Sequence, residues 1–391
     1  MAKIREIQKE LRVARIDAWL LTDFYHRDPI SYRVLGLPEG LAKRRWFYLI
    51  PARGMPRKLV HRIEAGTLDA LPGQKLQYAG LDELHAGLEK LLRGVASVAM
   101  QYSPRLAVPY VSLADAGLVE LVRSFGPRVV SSADLVQMFE ARWTPRQWAS
   151  HRAAGRKVDR IMQAAFRRAA EFVRRGRTLT EFDLQRWIVE QFGREGLVSD
   201  DPPIVAVGPN SGNPHYEPQP HGSRPIRKGD LLLLDIWAKT READSVYYDI
   251  TWTGYLGGAV PDRYAKIFHI VREARDAALA AVQQGLASGR AVRGFEVDRA
   301  ARDVIRRAGY AQYFVHRTGH NIGTEVHGAG ANMDSLETYD TRRLIPHTCF
   351  SIEPGIYLPQ FGIRSEVNVY VNGRRAQVTG PVQQEILPLL A

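Results

Sequence analysis

A chain of 391 residues with 45% hydrophobic side chains is long enough to bury two cores, so two domains are expected of it. Its formal net charge of +12 comes from arginines scattered along amphipathic stretches such as "FRRAAEFVRRGR" and "ARDVIRRAG"; with no zinc-finger spacing, aromatic-interleaved basic strand or basic tail, a nucleic-acid partner is not expected. The single cysteine, Cys349 in "TCFSI", excludes an intrachain disulfide, and no apolar run approaches the ~20 residues of a membrane span or the layout of a secretory signal, so we expect a cytoplasmic protein with no membrane partner.

The first ~140 residues alternate amphipathic and apolar runs. In "IREIQKELRVARI" the residues Ile4, Ile7, Leu11 and Ala14 recur at helical spacing, and "IDAWLLTD", "RRWFYLIP" and "VASVAMQYS" read as strands, which is the pattern of an α/β domain. A boundary is expected near "ARWTPRQW", where Pro145 precedes a long helical pattern, giving domains 1–142 and 143–391.

The second part echoes itself. Residues 166–196 and 273–309 share one plan: an amphipathic helix, a stopping glycine (Gly176, Gly285), a loop, then Glu-x-Asp (Glu181 and Asp183, Glu296 and Asp298) opening a second helix. Thr178, three residues before Glu181, reads as the capping residue. Strand-like segments follow each helix pair: "PPIVAVG", "DLLLLDIWA" and "VYYDITWTGYL" after the first, "TCFSIEPGIYL" and "IRSEVNVYVN" after the second. The expected fold is a pseudo-symmetric α+β domain with a site between its halves.

Four carboxylates stand in those strand-like runs. Asp235 ends "LLLLD", Asp249 lies in "VYYDITWTG", and Glu353 and Glu366 sit in "FSIEPGIY" and "GIRSEVNVYV". A buried carboxylate without a partner costs several kcal/mol or takes up a proton. Four brought together would repel one another, and a multivalent cation removes that conflict. With one imidazole they make an oxygen-rich ligand set suited to two ions of Mn²⁺, Co²⁺ or Zn²⁺.

The order Asp235, Asp249, His320, Glu353, Glu366, with the words "DITWTG", "HRTGHNIGTEVH", "SIEPGIY" and "IRSE", resembles the five-ligand pattern of the pita-bread metallopeptidases, the family of methionine aminopeptidase, aminopeptidase P and prolidase. The catalytic resemblance covers roughly residues 150–390; "LRVARIDAWLLTD" and "VVSSADLVQMFEARWTPRQ" resemble the smaller α/β domain that precedes it in the proline-specific and creatinase branches. The resemblance implies a C-terminal pita-bread domain, two divalent ions (manganese first) on those five residues, and a homodimer. His215 in "GPNSGNPHYEP", His316 and His327 match histidines of the proline-specific members that are not ligands, which implies hydrolysis of Xaa-Pro bonds in dipeptides or short peptides. An Xaa-Pro dipeptidase is the preferred expectation, an Xaa-Pro aminopeptidase acting on longer peptides the alternative, and a non-catalytic binding module the rival from another class. Glu353 would relay the proton of a metal-bridging hydroxide, His215 and His327 would hydrogen-bond substrate, and His316 and Arg364 would fix the geometry or hold the substrate's carboxylate end. Three positions depart from the family pattern: the two aspartates stand fourteen residues apart, a longer spacing than usual; Gly328 replaces a glutamate; and Asp201 replaces a tyrosine. The extra length should form an exposed tip at 240–244, "TREAD".

Overall fold

The computed structural model describes residues 2–38, 40 and 42–391. The chain separates into two compact units, Met1–Glu140 and Ala141–Ala391.

In the first unit α1 (Ala2–Ala14) buries Ile4, Ile7 and Leu11. Ala14, expected on the same stripe, is exposed, because Arg15 beside it turns into the left-handed region and ends the helix. There follow β1 (Ala18–Asp23), α2 (Pro29–Leu35), β2 (Trp46–Pro51), β3 (Arg57–His61), β4 (Gln74–Tyr78), α3 (Leu81–Leu92), β5 (Ser97–Met100), α4 (Ala116–Ser124), β6 (Arg128–Ser131) and α5 (Ala133–Glu140). The strands form one mixed sheet in the order β4-β3-β2-β1-β5-β6, with β1 antiparallel to β2 and parallel to β5. Every residue of β1 and β5 is buried, so these strands are apolar runs without alternation, as a sheet covered on both faces requires.

The second unit is built twice. Its first half carries α6 (Pro145–Arg174), α7 (Glu181–Glu195) and the strands β7 (Leu197–Val198), β8 (Ile204–Val207), β9 (Leu231–Thr240) and β10 (Tyr248–Tyr255). Its second half carries α8 (Asp262–Ala287), α9 (Gly294–Arg307), β11 (Asn321–Ile322), β12 (Cys349–Ile352), β13 (Gly355–Leu358), β14 (Phe361–Arg364), β15 (Val367–Asn372) and β16 (Arg375–Val378), before β17 (Leu387–Pro388) returns to pair with β10. Each helix pair buries its apolar face on its own sheet, Val158, Ile161 and Leu184 on one side, Val271, Ala278 and Val297 on the other. The five-stranded sheet of β7, β8, β9, β10 and β17 meets the four-stranded sheet of β11, β12, β15 and β16 where Asn368 of β15 donates to the carbonyl of Asp249 in β10 at 2.5 Å.

The helix junctions correct the sequence reading. Helix α7 is capped by Thr180, not Thr178: the Thr180 hydroxyl accepts from the Asp183 amide at 3.1 Å and the Asp183 carboxylate accepts from the Thr180 amide at 3.0 Å. In α9 the equivalent acid is Glu296, which accepts from the Arg293 amide at 2.7 Å. Asp183 therefore corresponds to Glu296, and the repeat is shifted by two residues from the Glu-x-Asp register. Gly176 does end α6, at φ +61°, but Gly285 lies inside α8, where a Cβ would meet Val292 at 2.3 Å; Gly289, at φ +76°, follows the end of that helix. The tip between β9 and β10 is exposed at 241–244, while Thr240 is buried as the last residue of β9.

Candidate metal centre

The register of β9 and β10 sets the floor of the site. Thr251 lies opposite Asp235 and Asp249 opposite Trp237, so all four side chains leave the same face of the sheet. Asp235 sits in the middle of β9, not at its end, and both aspartates are buried. The second half supplies acids at strand breaks: Glu353 between β12 and β13, Glu366 between β14 and β15. His320 enters just before β11, held by its amide on the Ser351 hydroxyl at 3.0 Å and by its carbonyl on the Ser351 amide at 2.9 Å. Glycine is required next to it, because a Cβ on Gly319 would stand 1.9 Å from the Ser351 carbonyl oxygen.

These side chains converge. Carboxylate oxygens of Asp235, Asp249 and Glu366 lie within 4.8 Å of one another. His320 Nε2 is 3.5 Å from Asp249 and 3.3 Å from Glu353. Asp249 Oδ1 and Glu366 Oε1 are buried without any hydrogen-bond donor. Buried carboxylate oxygens are otherwise almost always paired. Two orphaned oxygens in a cluster of four acids and one imidazole fit divalent cations.

Electrostatics say the same. Burial, then the charges of Asp249 and Glu353, raise Asp235 to about 7 against the opposing pull of Arg364. Burial and its three acidic neighbours push Glu366 far above the carboxylate range. Burial alone would lower His320, but its hydrogen bonds to Asp249 and Glu353 and their charges outweigh that and raise it to about 10. Burial would likewise raise Glu353, yet His320 and Arg364 hold it well below the usual range. The cluster takes up protons where it lacks positive charge, which is the behaviour of a cation site.

A hydrogen-bonded frame surrounds it. The Thr251 hydroxyl lies 2.9 Å from both Asp235 and Glu366. Arg364 pairs with Asp235 through Nη2, reaches Thr251 Oγ1 through Nε at 2.9 Å, and donates from Nη1 to the Tyr357 hydroxyl at 3.0 Å. Tyr357 in turn stands 2.7 Å from His316 Nε2, while His316 Nδ1 faces the Arg317 carbonyl at 2.6 Å. A carbonyl only accepts, so His316 Nδ1 carries the proton and Nε2 accepts from Tyr357; burial lowers this ring to about 4. Thr251 and Tyr357 escaped the sequence reading. Thr251 was detectable as the threonine of Asp-x-Thr, two residues after Asp249, which strand alternation puts on the same face; Tyr357 carried no such signal. Asp201 stays exposed at the rim, and Asp235 is supported by Thr251 and Arg364 instead.

Above this floor lies a cavity of about 400 Å³, of the size that holds a small molecule. Asp235, Asp249, His320, Glu353, His215, His316, His327 and Arg364 all line it, and Glu366 lies beneath, buried. The His327 and His320 rings meet edge to face at 4.3 Å. A Cβ on Gly328 would stand 2.4 Å from Asn321 Oδ1, which accepts from the Gly330 amide at 2.9 Å, so the glutamate of the family pattern has no room in this loop.

A model of metallopeptidase family M24 matches residues 149–373. The probable dipeptidase PepE of Mycobacterium tuberculosis is 31% identical over 329 residues, covering 83% of this chain and 80% of the relative. The Xaa-Pro dipeptidase of Lactobacillus helveticus is 31% identical over 244 residues, covering 62% and 60%. Among solved structures, dipeptidase PepE from Mycobacterium ulcerans matches with a TM-score of 0.69 at 25% identity over 99% of this chain and 96% of that one. The prolidase from Pyrococcus horikoshii matches in fold at a TM-score of 0.63, 21% identity, over 99% and 100%.

Proposed function

The chain belongs to metallopeptidase family M24, and from that premise we propose that it is an Xaa-Pro dipeptidase, hydrolysing the bond between an N-terminal residue and proline. The observation that carries the reading is the convergence of Asp235, Asp249, His320, Glu353 and Glu366 with two carboxylate oxygens left without donors. These five residues would hold two divalent cations, and the oxygen-rich set with one imidazole favours manganese, with cobalt or zinc as substitutes. Bound there, the cations supply Lewis acidity toward the scissile carbonyl and lower the pKa of the attacking water.

The chain's own groups do the rest. Glu353, oriented by the Ser351 hydroxyl at 2.9 Å, accepts the proton of the attacking water and returns it to the proline nitrogen as the bond breaks. His327 and His215 line the cavity and donate to the carbonyl oxygen as it gains charge or to the substrate backbone. His316 spends both ring nitrogens on Arg317 and Tyr357, and Arg364 has each nitrogen engaged, Nε by Thr251, Nη1 by Tyr357 and the Pro214 carbonyl, and Nη2 by Asp235, so both act by holding geometry. An Xaa-Pro bond is a tertiary amide without an N–H, and nothing in this arrangement needs that donor. The reading includes a cytoplasmic homodimer; among the described residues no helix is long and apolar enough to cross a membrane.

A panel of Xaa-Pro, Xaa-Pro-Yaa and Xaa-Ala peptides assayed with Mn²⁺, Co²⁺ and Zn²⁺ tests it. Ala-Pro should be cut fastest, activity should vanish with a chelator, and Mn²⁺ should restore it. Faster cleavage of Met-Ala than of any Xaa-Pro peptide contradicts the proline reading, and equal rates on Ala-Pro and Ala-Pro-Ala favour an aminopeptidase.

A further inference from the structure

Arg275 of α8 is among the largest side chains with no exposure to solvent, and no step of the proposed hydrolysis uses it. A buried guanidinium is weak evidence of stability, since apolar side chains of similar volume often serve a core as well or better. Its one carboxylate partner, Asp276, is half exposed and engages Nε and Nη2 at 2.9 and 2.8 Å. The remaining nitrogen, Nη1, donates inward to two neutral acceptors, the Ser365 hydroxyl and the Gln383 carbonyl, each at 2.7 Å.

Both acceptors belong to the seam between the two halves. Ser365 is buried between Arg364 and Glu366, in the link from β14 to β15, and its amide donates to the carbonyl of Pro354, the residue after Glu353, at 3.4 Å. Gln383 is buried between β16 and β17, where its carboxamide grips the backbone of Thr253 in β10, accepting from the amide at 3.0 Å and donating to the carbonyl at 2.6 Å. Beside them the Glu366 amide donates to the Thr251 carbonyl at 3.3 Å, and the Thr253 hydroxyl to the Arg364 carbonyl at 3.4 Å. Through Nη1, Arg275 therefore ties the link that carries Glu366 to the strand that carries Asp249.

We propose that Arg275 is a positioning residue for the metal centre, setting the place of Glu366 relative to Asp235 and Asp249 by holding Ser365 against the Gln383–Thr253 junction. The inference rests on the cation reading above. The test titrates chelated wild type, Arg275→Met, Arg275→Lys, Ser365→Ala and the Arg275→Met, Ser365→Ala double variant with Mn²⁺ by calorimetry, beside urea unfolding of the same chelated proteins. Mn²⁺ should bind Arg275→Met and Ser365→Ala roughly 10- to 100-fold more weakly than wild type, the range for a residue that orients metal ligands, and Arg275→Lys should recover part of the loss. In the double variant the loss should fall short of the product of the two single losses, because both substitutions remove one contact. An unchanged Mn²⁺ affinity in Arg275→Met, with only the urea midpoint lowered, makes Arg275 a plain stabilising side chain and overturns the assignment. Should that variant fail to fold, an unchanged affinity in Ser365→Ala overturns it equally, and so do losses that multiply in the double variant. A wild type that binds no Mn²⁺ overturns the cation reading itself.

Discussion

His320 and His327 stand ring to ring, yet their surroundings give them different work. His320 lies between Asp249 and Glu353, while the His327 ring meets that of His320 edge to face and lines the cavity. Replacing His320 by Ala removes the one nitrogen from a set of carboxylates that repel one another, so bound manganese and Ala-Pro turnover should fall together. His327→Ala leaves the five converging side chains in place and removes one donor; turnover should fall by about 10²–10³, or about 2.7–4 kcal/mol of transition-state stabilisation, with metal content unchanged. Metal analysis and rates on the same samples check both, and equal metal loss in the two variants contradicts the division.

At the scale of elements, the floor of the site depends on α6 staying docked on β10. His151 of α6 is buried, with Nδ1 2.6 Å from the Tyr247 carbonyl and Nε2 2.7 Å from the Thr379 hydroxyl, a neutral ring satisfied on both sides. Burial lowers it from the usual 6.5 to about 4. Between these values the unfolded chain binds more protons than the folded one, so the contribution is complete above about pH 6.5 and is lost as pH falls toward 4. Urea unfolding should show wild type losing about 2 kcal/mol more than His151→Asn between pH 7 and pH 5. Identical pH dependence in the two proteins contradicts this. The same elements show where the sequence was readable. Apolar runs marked β1, β2, β5, β9 and β10, since buried strands need no partner to be recognised. The cap of α7 was misplaced by two residues because Thr178 and Thr180 both precede acids, and only backbone geometry separates them. With that shift, Glu181 proves to be a loop anchor, accepting from Tyr216, Asn210 and the amides of Val207 and Arg224 behind His215. Asp298 does the equivalent behind His316 and His320.

Across the whole second unit, one site is assembled from two halves that each bury their own core. The acids were legible because carboxylates inside apolar runs are anomalous until something pairs them, and four of them in order with one histidine identify a pattern. Tyr357, Thr251 and Asn368 were not, because each is ordinary for a strand and gains meaning only from what it faces. On the proposed reading, Asp235, Asp249, His320, Glu353 and Glu366 together hold the cations on which Xaa-Pro hydrolysis depends. The most direct test is a titration of chelated protein with Mn²⁺, reading bound metal and Ala-Pro turnover on the same samples. Turnover rising with occupancy to a plateau near two equivalents per chain is the predicted result; full turnover below about half an equivalent, or two equivalents bound without turnover, would contradict it.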